Sequence, residues 1–418
     1  MPESAAPHVP PAPAAAGLGQ RRWTTVAFVA GIIVLAFNLR AAITSLPPLF
    51  PELSAALHLS SAALALLAAT PVVCFALFSG VAAPLSRRFG EERVLLAALA
   101  LLAVGLLLRG AVPGLLLIPG TALAAAAIAL MNVLLPSLVK RRQPAQAGWL
   151  IGIYLLSLSA GTILGALVAV PLFQVSGGSV RLALGVWAAP ALAAMLAWLP
   201  QWRFRTVPDG TATQPGPARL VKVWRYRLAW QVMTFMGLQS LTYYASASWL
   251  PTLFRDRGTS AVHAGTLAAL MQLGGAGSAL LIPVLAHRVR DQRWLVTLAV
   301  IVSAAGFAGS AFAPLSGAAA WILLLGLGQG AALGLAVYLT MVRAPDPVVA
   351  ASLSAFTQGA GYLLAAAGPL AVGLLHTATG AWTVPAALVL AVFGGELAAG
   401  LMAGRARTLP AAEAGAAS

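Results

Sequence analysis

The sequence contains few charged residues and almost no cysteine. Only 8% of its 418 residues are charged and 60% are hydrophobic, against roughly 25% charged in ordinary soluble chains. The single cysteine, Cys74, excludes a disulfide framework and a cysteine-based zinc site. Together with a mean hydropathy of +0.90, these absences exclude a disordered or fibrous chain and predict an integral membrane protein.

Motifs for catalysis are also missing. The sequence has five histidines, none at helical spacing from another, and they are His8, His58, His263, His287 and His376. No HExxH, GxSxG or Walker-type pattern occurs. We therefore expect no enzyme, no metal and no cofactor. The net charge of +15 would indicate nucleic-acid binding only on a folded basic domain, and the sequence has none, so we expect no nucleic-acid partner.

Long uncharged stretches predict an all-α membrane protein with twelve transmembrane helices. Residues 294–342 contain no charged residue or histidine, and as one helix they would be about 73 Å long, more than twice the ~30 Å hydrocarbon core. They must form two spans that turn near Pro314. The same reasoning predicts spans at 24–46, 61–83, 94–112, 114–138, 147–171, 179–200, 228–250, 263–286, 294–313, 317–342, 352–375 and 380–402.

The distribution of basic residues predicts that both termini are cytoplasmic. With this orientation 20 of the 25 Lys and Arg residues fall on the cytoplasmic side, as the positive-inside rule requires. Only Arg109, Arg181, Arg255 and Arg257 fall on the outer side, and Arg40 lies inside a helix. The positive charge is thus mostly a topology signal that also attracts anionic lipid, and it does not identify the solute.

A polar segment rich in Pro and Gly divides the chain into two equal parts. We predict a disordered cytoplasmic tail at 1–22 that is not a cleaved signal peptide, six-helix bundles at 23–200 and 228–403, a cytoplasmic linker at 201–227 and a tail at 404–418. Two six-helix halves around a cytoplasmic linker resemble the major facilitator superfamily, in which solute binds near the midplane between pseudo-symmetric halves.

Polar side chains concentrate on some spans and avoid others. The third, sixth and ninth spans are nearly bare, and a polar group that faces lipid is costly. This resembles the superfamily arrangement in which helices three, six, nine and twelve lie outside a central cavity. The polar residues on the other spans are Asn38, Arg40, Thr44, Asn132, Tyr154, Ser157, Ser159, Gln239, Tyr243, Tyr244, Gln272, Gln329, Tyr338, Ser354, Gln358 and Tyr362.

Several local motifs resemble the cyanate/nitroimidazole transporter family. They include Asn38-Leu39-Arg40, Asn132-Val133-Leu134-Leu135-Pro136, Gly237-Leu238-Gln239-Ser240, Leu325-Gly326-Leu327-Gly328-Gln329-Gly330 and Gly359-Ala360-Gly361-Tyr362. They extend over nearly the whole transmembrane region. The resemblance implies transport of cyanate, nitroimidazoles or related solutes. Arg87 stands where general facilitators carry an acidic residue, so a gating role of that acid is not transferred.

Arg40 is the strongest candidate for substrate contact. It lies about 17 residues into the first predicted span, where a charged Arg costs ~2.5–3.5 kcal/mol or more unless it is compensated. Its planar guanidinium group can receive an anion. In the alternative interpretation Arg40 extends towards the interface or holds backbone carbonyls. We interpret Glu396, the only membrane-embedded acid, as extending to the inner interface rather than carrying protons.

Polar residues on cavity helices complete the predicted binding site. The substrate-binding candidates are Arg40, Asn38, Gln239, Tyr243, Gln358, Tyr362 and Asn132. Each amide is alternatively a bond between helices, worth ~0.6 kcal/mol. One cavity cation fits a monoanion or a neutral polar solute better than a phosphate ester, whose two charges usually attract more than one basic group.

The predicted function is secondary active or facilitative transport of a small anion, cyanate-like or a small carboxylate. The expected partners are this solute, protons and the lipid bilayer, and the expected location is the bacterial cytoplasmic membrane. One alternative is an exporter of neutral nitroheterocycles or drug-like metabolites. Another is a membrane receptor or scaffold that does not transport, which no soluble signalling domain supports.

Overall fold

The structure is a computed structural model that describes residues 16–203 and 221–411, where every regular element is helical. The long segments are α1 (Ala16–Thr44), α2 (Ser61–Phe78), α3 (Glu91–Ala111), α4 (Pro113–Arg142), α5 (Ala147–Val175), α6 (Val180–Gly185 and Ala188–Trp198), α7 (Arg227–Asp256), α8 (Ala261–His287), α9 (Arg293–Phe312), α10 (Ala318–Val342), α11 (Pro347–Thr379) and α12 (Thr383–Ala403). Short helices Phe50–Leu57 and Ala82–Phe89 continue α1 and α2. Single 3₁₀ turns lie at Pro47–Leu49, Ser79–Val81, Pro144–Gln146, Leu199–Arg203, Val223–Arg225 and Leu315–Gly317.

The helices agree with the predicted all-α membrane fold. In the described part of the chain, eleven helices are long and apolar enough to cross a membrane. The remaining long segment, α7, has 30 residues and is less apolar because it carries side chains such as Gln239 and Thr242. Most helices extend past their predicted spans, since hydropathy detects only the part inside the hydrocarbon core.

The predicted terminal and linker segments are only partly described. The first helix begins at Ala16, so the predicted tail at 1–22 is helical from there on, and residues 1–15 lie outside the described ranges. Residues 204–220 of the predicted linker and 412–418 of the C-terminal tail also lie outside them. The start of that tail packs on the bundle, because Leu409 is buried in a cluster with Val223 and Val349.

Local sequence explains where several helices begin and end. The side chains of Ser60 and Ser260 cap α2 and α8, each accepting a hydrogen bond from the backbone N–H three residues on. Asp346 caps α11 in the same way by accepting from Val348 and Val349. That helix ends at Gly380, whose φ of 63° suits glycine.

Small residues bring matching helix pairs of the two halves into close contact. In the first half, a Cβ on Gly161 would clash with the carbonyl of Phe37, so α5 packs directly on α1. In the second half the equivalent pair, α11 and α7, meets at Gly361 and Gly237. Small-residue contacts of this kind are typical of membrane helices. The repeated pairing agrees with two pseudo-symmetric six-helix halves.

The two halves contact each other at the end of the bundle opposite the basic loops, which we call the outer end. There Arg255 of α7 forms an ion pair with Glu52, which follows α1. Nearby, the rings of Phe50 and Trp249 pack edge to face with centroids 5.7 Å apart. A Cβ on Gly373 of α11 would meet Ala65 of α2 at 2.5 Å. The outer end is therefore closed in this conformation.

Arg109, which we predicted on the outer side, lies in the last turn of α3 at the end opposite the basic loops. Its side chain is buried there, with 1% exposure. Its Nη1 donates to the carbonyl of Ala42 at 2.9 Å, and Nη2 donates to the carbonyl of Leu184 at 3.5 Å. Hydropathy cannot distinguish a loop arginine from one that turns inward at the end of a helix, because both interrupt the apolar run at the same place.

Candidate functional site

A cavity of about 340 Å³ lies between the halves. Its walls come from α1, α4 and α5 of the first half and from α7, α8, α10 and α11 of the second. No described residue of α3, α6, α9 or α12 lines it, which agrees with the expected arrangement of outside helices. A smaller space of about 50 Å³ lies towards the outer end, and both spaces share Arg40, Tyr243, Tyr244 and Gln272.

Arg40 is the cation of this cavity wall. Its side chain is half-buried, and its guanidinium carbon lies 5.9 Å from the centroid of the Phe75 ring. Among residues 16–203 and 221–411, no Asp or Glu oxygen lies within 4.0 Å of it, since the ion pairs found there involve other residues. The positive charge therefore faces the cavity without an anionic partner from the described chain.

Four tyrosines line the cavity together with Arg40. They are Tyr154, Tyr243, Tyr244 and Tyr362. Tyr243 donates a hydrogen bond of 2.9 Å to Oε1 of Gln272, and its ring meets Tyr244 edge to face at 5.1 Å. Such fixed rings offer flat apolar surfaces and hydroxyl groups close to the guanidinium. The site therefore combines one cation with several aromatic faces.

The structure brings five of the seven predicted binding residues to the cavity wall. These are Arg40, Asn132, Gln239, Tyr243 and Tyr362. Whether they bind solute stays a prediction, but they share one space although they come from four helices.

The other two predicted residues, Asn38 and Gln358, lie away from this wall. Asn38 precedes Arg40 by two positions, about 200° around the helix, and its Nδ2 donates to the carbonyls of Val34 and Pro190. It thereby joins α1 to α6. Gln358 is exposed one turn from Tyr362 towards the basic end, and it donates to Ser354.

Five further residues of the wall were noticed as polar but not selected from the sequence. They are Tyr154, Ser159, Tyr244, Gln272 and Gln329. Each lies on a helix predicted to face the cavity, so the partition of polar residues contained the signal. Choosing among them requires knowing which face of each helix is turned inward, and several of these helices carry polar residues on more than one face.

The position of Glu396 was interpreted wrongly from the sequence. Its carboxyl group does not extend to the inner interface but is fully buried, with 0% exposure. Its Oε2 accepts a hydrogen bond of 3.0 Å from the hydroxyl of Thr242. The peripheral helix α12 turns this face towards α7 rather than towards lipid, which a hydropathy profile cannot show.

A polar cluster at the basic end stabilises the first half. Glu91, at the start of α3, forms an ion pair with Arg141 at the end of α4 and accepts a hydrogen bond of 2.7 Å from Ser137. Glu91 follows Arg87 by four residues. An acidic residue therefore forms an ion pair at the basic end of the first half, although not at the position usual in general facilitators. Its contacts lie within the half.

The sequence is similar to known membrane transporters over most of its length. The sequence profile of the Major Facilitator Superfamily matches residues 26–369. The chain is 40% identical to the 2-nitroimidazole transporter of Escherichia coli (strain K12) over 375 residues, which cover 88% of the chain and 94% of that protein. It is 33% identical to the cyanate transport protein CynX of the same organism over 350 residues, or 84% and 90% of the two chains.

The fold also matches solved structures. The crystal structure of the nucleoside transporter NupG superposes with a TM-score of 0.70, covering 89% of this chain and 98% of that one at 12% identity. Identity this low supports the fold alone and carries nothing about the solute.

Proposed function

Since the chain belongs to the major facilitator superfamily, and within it to the family of the cyanate and 2-nitroimidazole transporters, it is a multi-pass membrane transporter and not an enzyme, and we propose that its solute is a small organic anion. In this proposal the anion binds at Arg40 and crosses the bacterial cytoplasmic membrane by alternating access. The bacterial origin of these relatives supports that location.

The observation that carries the proposal is the unpaired cation in the cavity. A guanidinium group within a membrane-spanning segment is costly unless it is compensated, and in the described residues no carboxylate compensates Arg40. A bound anion would supply the missing charge and form a charge-assisted, bidentate hydrogen bond with the planar fork.

The size and lining of the cavity favour an organic anion over a triatomic ion. About 340 Å³ lies at the lower end of the range for small-molecule sites, ~300–1,000 Å³, and a cyanate ion would fill little of it. Tyr154, Tyr243 and Tyr362 would contact a flat, partly apolar body while Arg40 holds the charge. A small aromatic carboxylate meets both conditions.

The proposed site is the group of predicted residues that share the wall. Arg40 receives the anionic group, Tyr243 and Tyr362 contact the body of the solute, and Asn132 donates to its polar edge. Gln239 completes the wall without donating to the solute, because its amide already donates to the carbonyl and Oε1 of Gln329. Asn38 is assigned to the joint between α1 and α6, because its amide is already used there. Gln358 is assigned to the approach to the cavity, one helical turn nearer the basic end.

A second candidate is a neutral nitroheterocycle, with export as its direction. The rings around Arg40 suit a flat heterocycle, and nitro oxygens would accept from the guanidinium group. The 40% identical relative is named for 2-nitroimidazole. The two candidates differ in how much they need the positive charge.

Thermal unfolding of the purified full-length protein in detergent tests the proposal. Sodium benzoate, sodium cyanate and 2-nitroimidazole are the probes, because a ligand that binds the folded state raises its stability whatever the transport direction. We expect benzoate to stabilise the wild type and not Arg40→Gln. Arg181→Gln, which removes an exposed charge at the outer end, should respond as the wild type does.

Equal stabilisation by benzoate of wild type and Arg40→Gln would contradict the assignment of Arg40. Stabilisation by 2-nitroimidazole alone, retained in Arg40→Gln, would replace the anion with the second candidate. In that case Arg40 has a structural role.

A further inference from the structure

Glu396 is a buried acid that the solute site does not use. It lies in the middle of α12 with no exposed surface. Within residues 16–203 and 221–411 only Oε2 has a partner, the hydroxyl of Thr242, whereas Oε1 is buried and accepts no hydrogen bond from them. A buried charge with an unsatisfied oxygen is strongly disfavoured, so this half-satisfied carboxyl group requires an explanation.

No charged group compensates Glu396 in the described parts of the chain. Helices α7, α9 and α11 pack against α12, and none of their titratable side chains forms a hydrogen bond or an ion pair with it. These side chains are Arg227, Tyr243, Tyr244, Arg255 and Asp256 on α7, Arg293 on α9, and Tyr362 and His376 on α11. A bound proton is therefore the means of removing the charge.

A continuous chain of hydrogen bonds joins Glu396 to the cavity. Thr242, which donates to Glu396, accepts from Nε2 of Gln329 at 3.0 Å. Oε1 of Gln329 in turn accepts from Nε2 of Gln239 at 3.2 Å. Both glutamines line the 340 Å³ cavity. The acid on the peripheral helix is thus two hydrogen bonds from Gln329 and three from Gln239, both of which line the solute space.

We propose that Glu396 is a proton-binding site of this transporter, linked to the solute cavity through Thr242, Gln329 and Gln239. Its ligand is a proton, taken from water and returned to water during the transport cycle. The only bond that forms or breaks is the O–H bond of the carboxyl group. The proposal requires that the protein transports but not that the solute is an anion, so it stands apart from the assignment of Arg40.

Thr242 connects the protonation state of Glu396 to the hydrogen bonds of the cavity glutamines. Its single hydroxyl proton has two acceptors, Oε2 of Glu396 and the carbonyl of Gln239, each at 3.0 Å. When Glu396 is ionised, its carboxylate can only accept, so the Thr242 hydroxyl donates its hydrogen bond to Oε2. A protonated Glu396 donates to Thr242, whose hydroxyl then turns to the Gln239 carbonyl. The charge on Glu396 thereby determines whether the Thr242 hydroxyl donates to Glu396 or to the Gln239 carbonyl of α7.

Infrared difference spectroscopy of the full-length protein in liposomes tests the proposal without any solute. A pH change should alter the absorption of one protonated carboxyl group, and Glu396→Gln should remove this signal. Glu396→Asp, which keeps a titratable group, should retain a signal at a changed frequency. A signal that persists unchanged in Glu396→Gln would overturn the proposal.

The link to Thr242 is tested in the same experiment. Thr242→Val removes the donor to the carboxylate and so disfavours the ionised form, which should move the titration midpoint up by about one pH unit. Thr121→Val is the matched control, because Thr121 is equally buried but bonds only to the Leu117 carbonyl of its own helix. The midpoint should not move in that control. Equal midpoints in Thr242→Val and the wild type would overturn the link.

Discussion

The ion pair between Glu52 and Arg255, which we call the latch, should stabilise the conformation in which the outer end is closed. It joins the segment after α1 to α7, and so holds together elements of opposite halves. The two side chains are 12% and 26% exposed, so water screens the pair less than it would at an open surface. Opening the cavity to the outside must separate these residues, whereas opening it to the basic end leaves them together.

The expected size of the effect follows from the value of such a pair. Exposed ion pairs contribute up to ~1 kcal/mol, and we assign this partly buried pair that upper value. Removing it with Glu52→Gln should shift the equilibrium between the two conformations towards the outward-open one by about fivefold. Arg255→Gln should give the same shift, and the double variant should add little more, because both changes remove one interaction.

Labelling of a single introduced cysteine measures this shift. Cys74, the chain's only cysteine, is replaced by alanine, and Ala247→Cys places a thiol in the small space near the closed outer end. A membrane-impermeant maleimide added outside should react about fivefold faster when Glu52→Gln is present. Asp291→Asn, which breaks an ion pair within the second half at the other end, is the matched control. Equal rates with and without Glu52→Gln would refute the latch.

Two further predictions concern stability, and thermal unfolding without ligand measures both. Gly330→Ala should destabilise the protein by about 1–3 kcal/mol, since its Cβ would clash with the Gly275 carbonyl, whereas Gly277→Ala, which meets nothing within 4 Å, should be nearly neutral. Arg109→Gln should cost about 1.5–3 kcal/mol, because Arg109 holds the Ala42 carbonyl with a charged donor, and the exposed Arg181→Gln should cost little. A loss in Gly277→Ala equal to that in Gly330→Ala would contradict the packing argument, and an unchanged midpoint for Arg109→Gln would contradict the role given to Arg109.

The sequence was sufficient to predict the helices and their grouping because the bilayer imposes a strong length constraint. Spans of about 20 apolar residues predicted the helices that the structure shows. The distribution of basic residues predicted an orientation with which the structure is consistent. The boundaries differ where helices continue beyond the hydrocarbon core, as at Ala16 and Arg142. Hydropathy carries no information about those extensions.

The site was predicted less completely, and the reason is geometric. Arg40 could be predicted because it is a charged residue on a helix expected to line the cavity. Which face of a helix is turned inward depends on packing, and no local sequence pattern encodes this. Asn38 is two positions from Arg40 and yet lies on another side of α1. Glu396 shows the same limit, because it lies on a peripheral helix but on the face that packs on α7.

Counterflow in proteoliposomes tests whether the protein transports a small organic anion that binds at Arg40. Vesicles that contain the full-length protein are loaded with unlabelled sodium benzoate, and the entry of radiolabelled benzoate is followed, with protein-free vesicles as the background. We expect transient accumulation by the wild type and by Arg181→Gln. In Arg40→Gln the loss of a charged hydrogen bond, ~1.5–3 kcal/mol, should weaken binding by about 10- to 150-fold and lower exchange accordingly. Exchange by Arg40→Gln at the wild-type rate would contradict the assignment of Arg40 to anion binding.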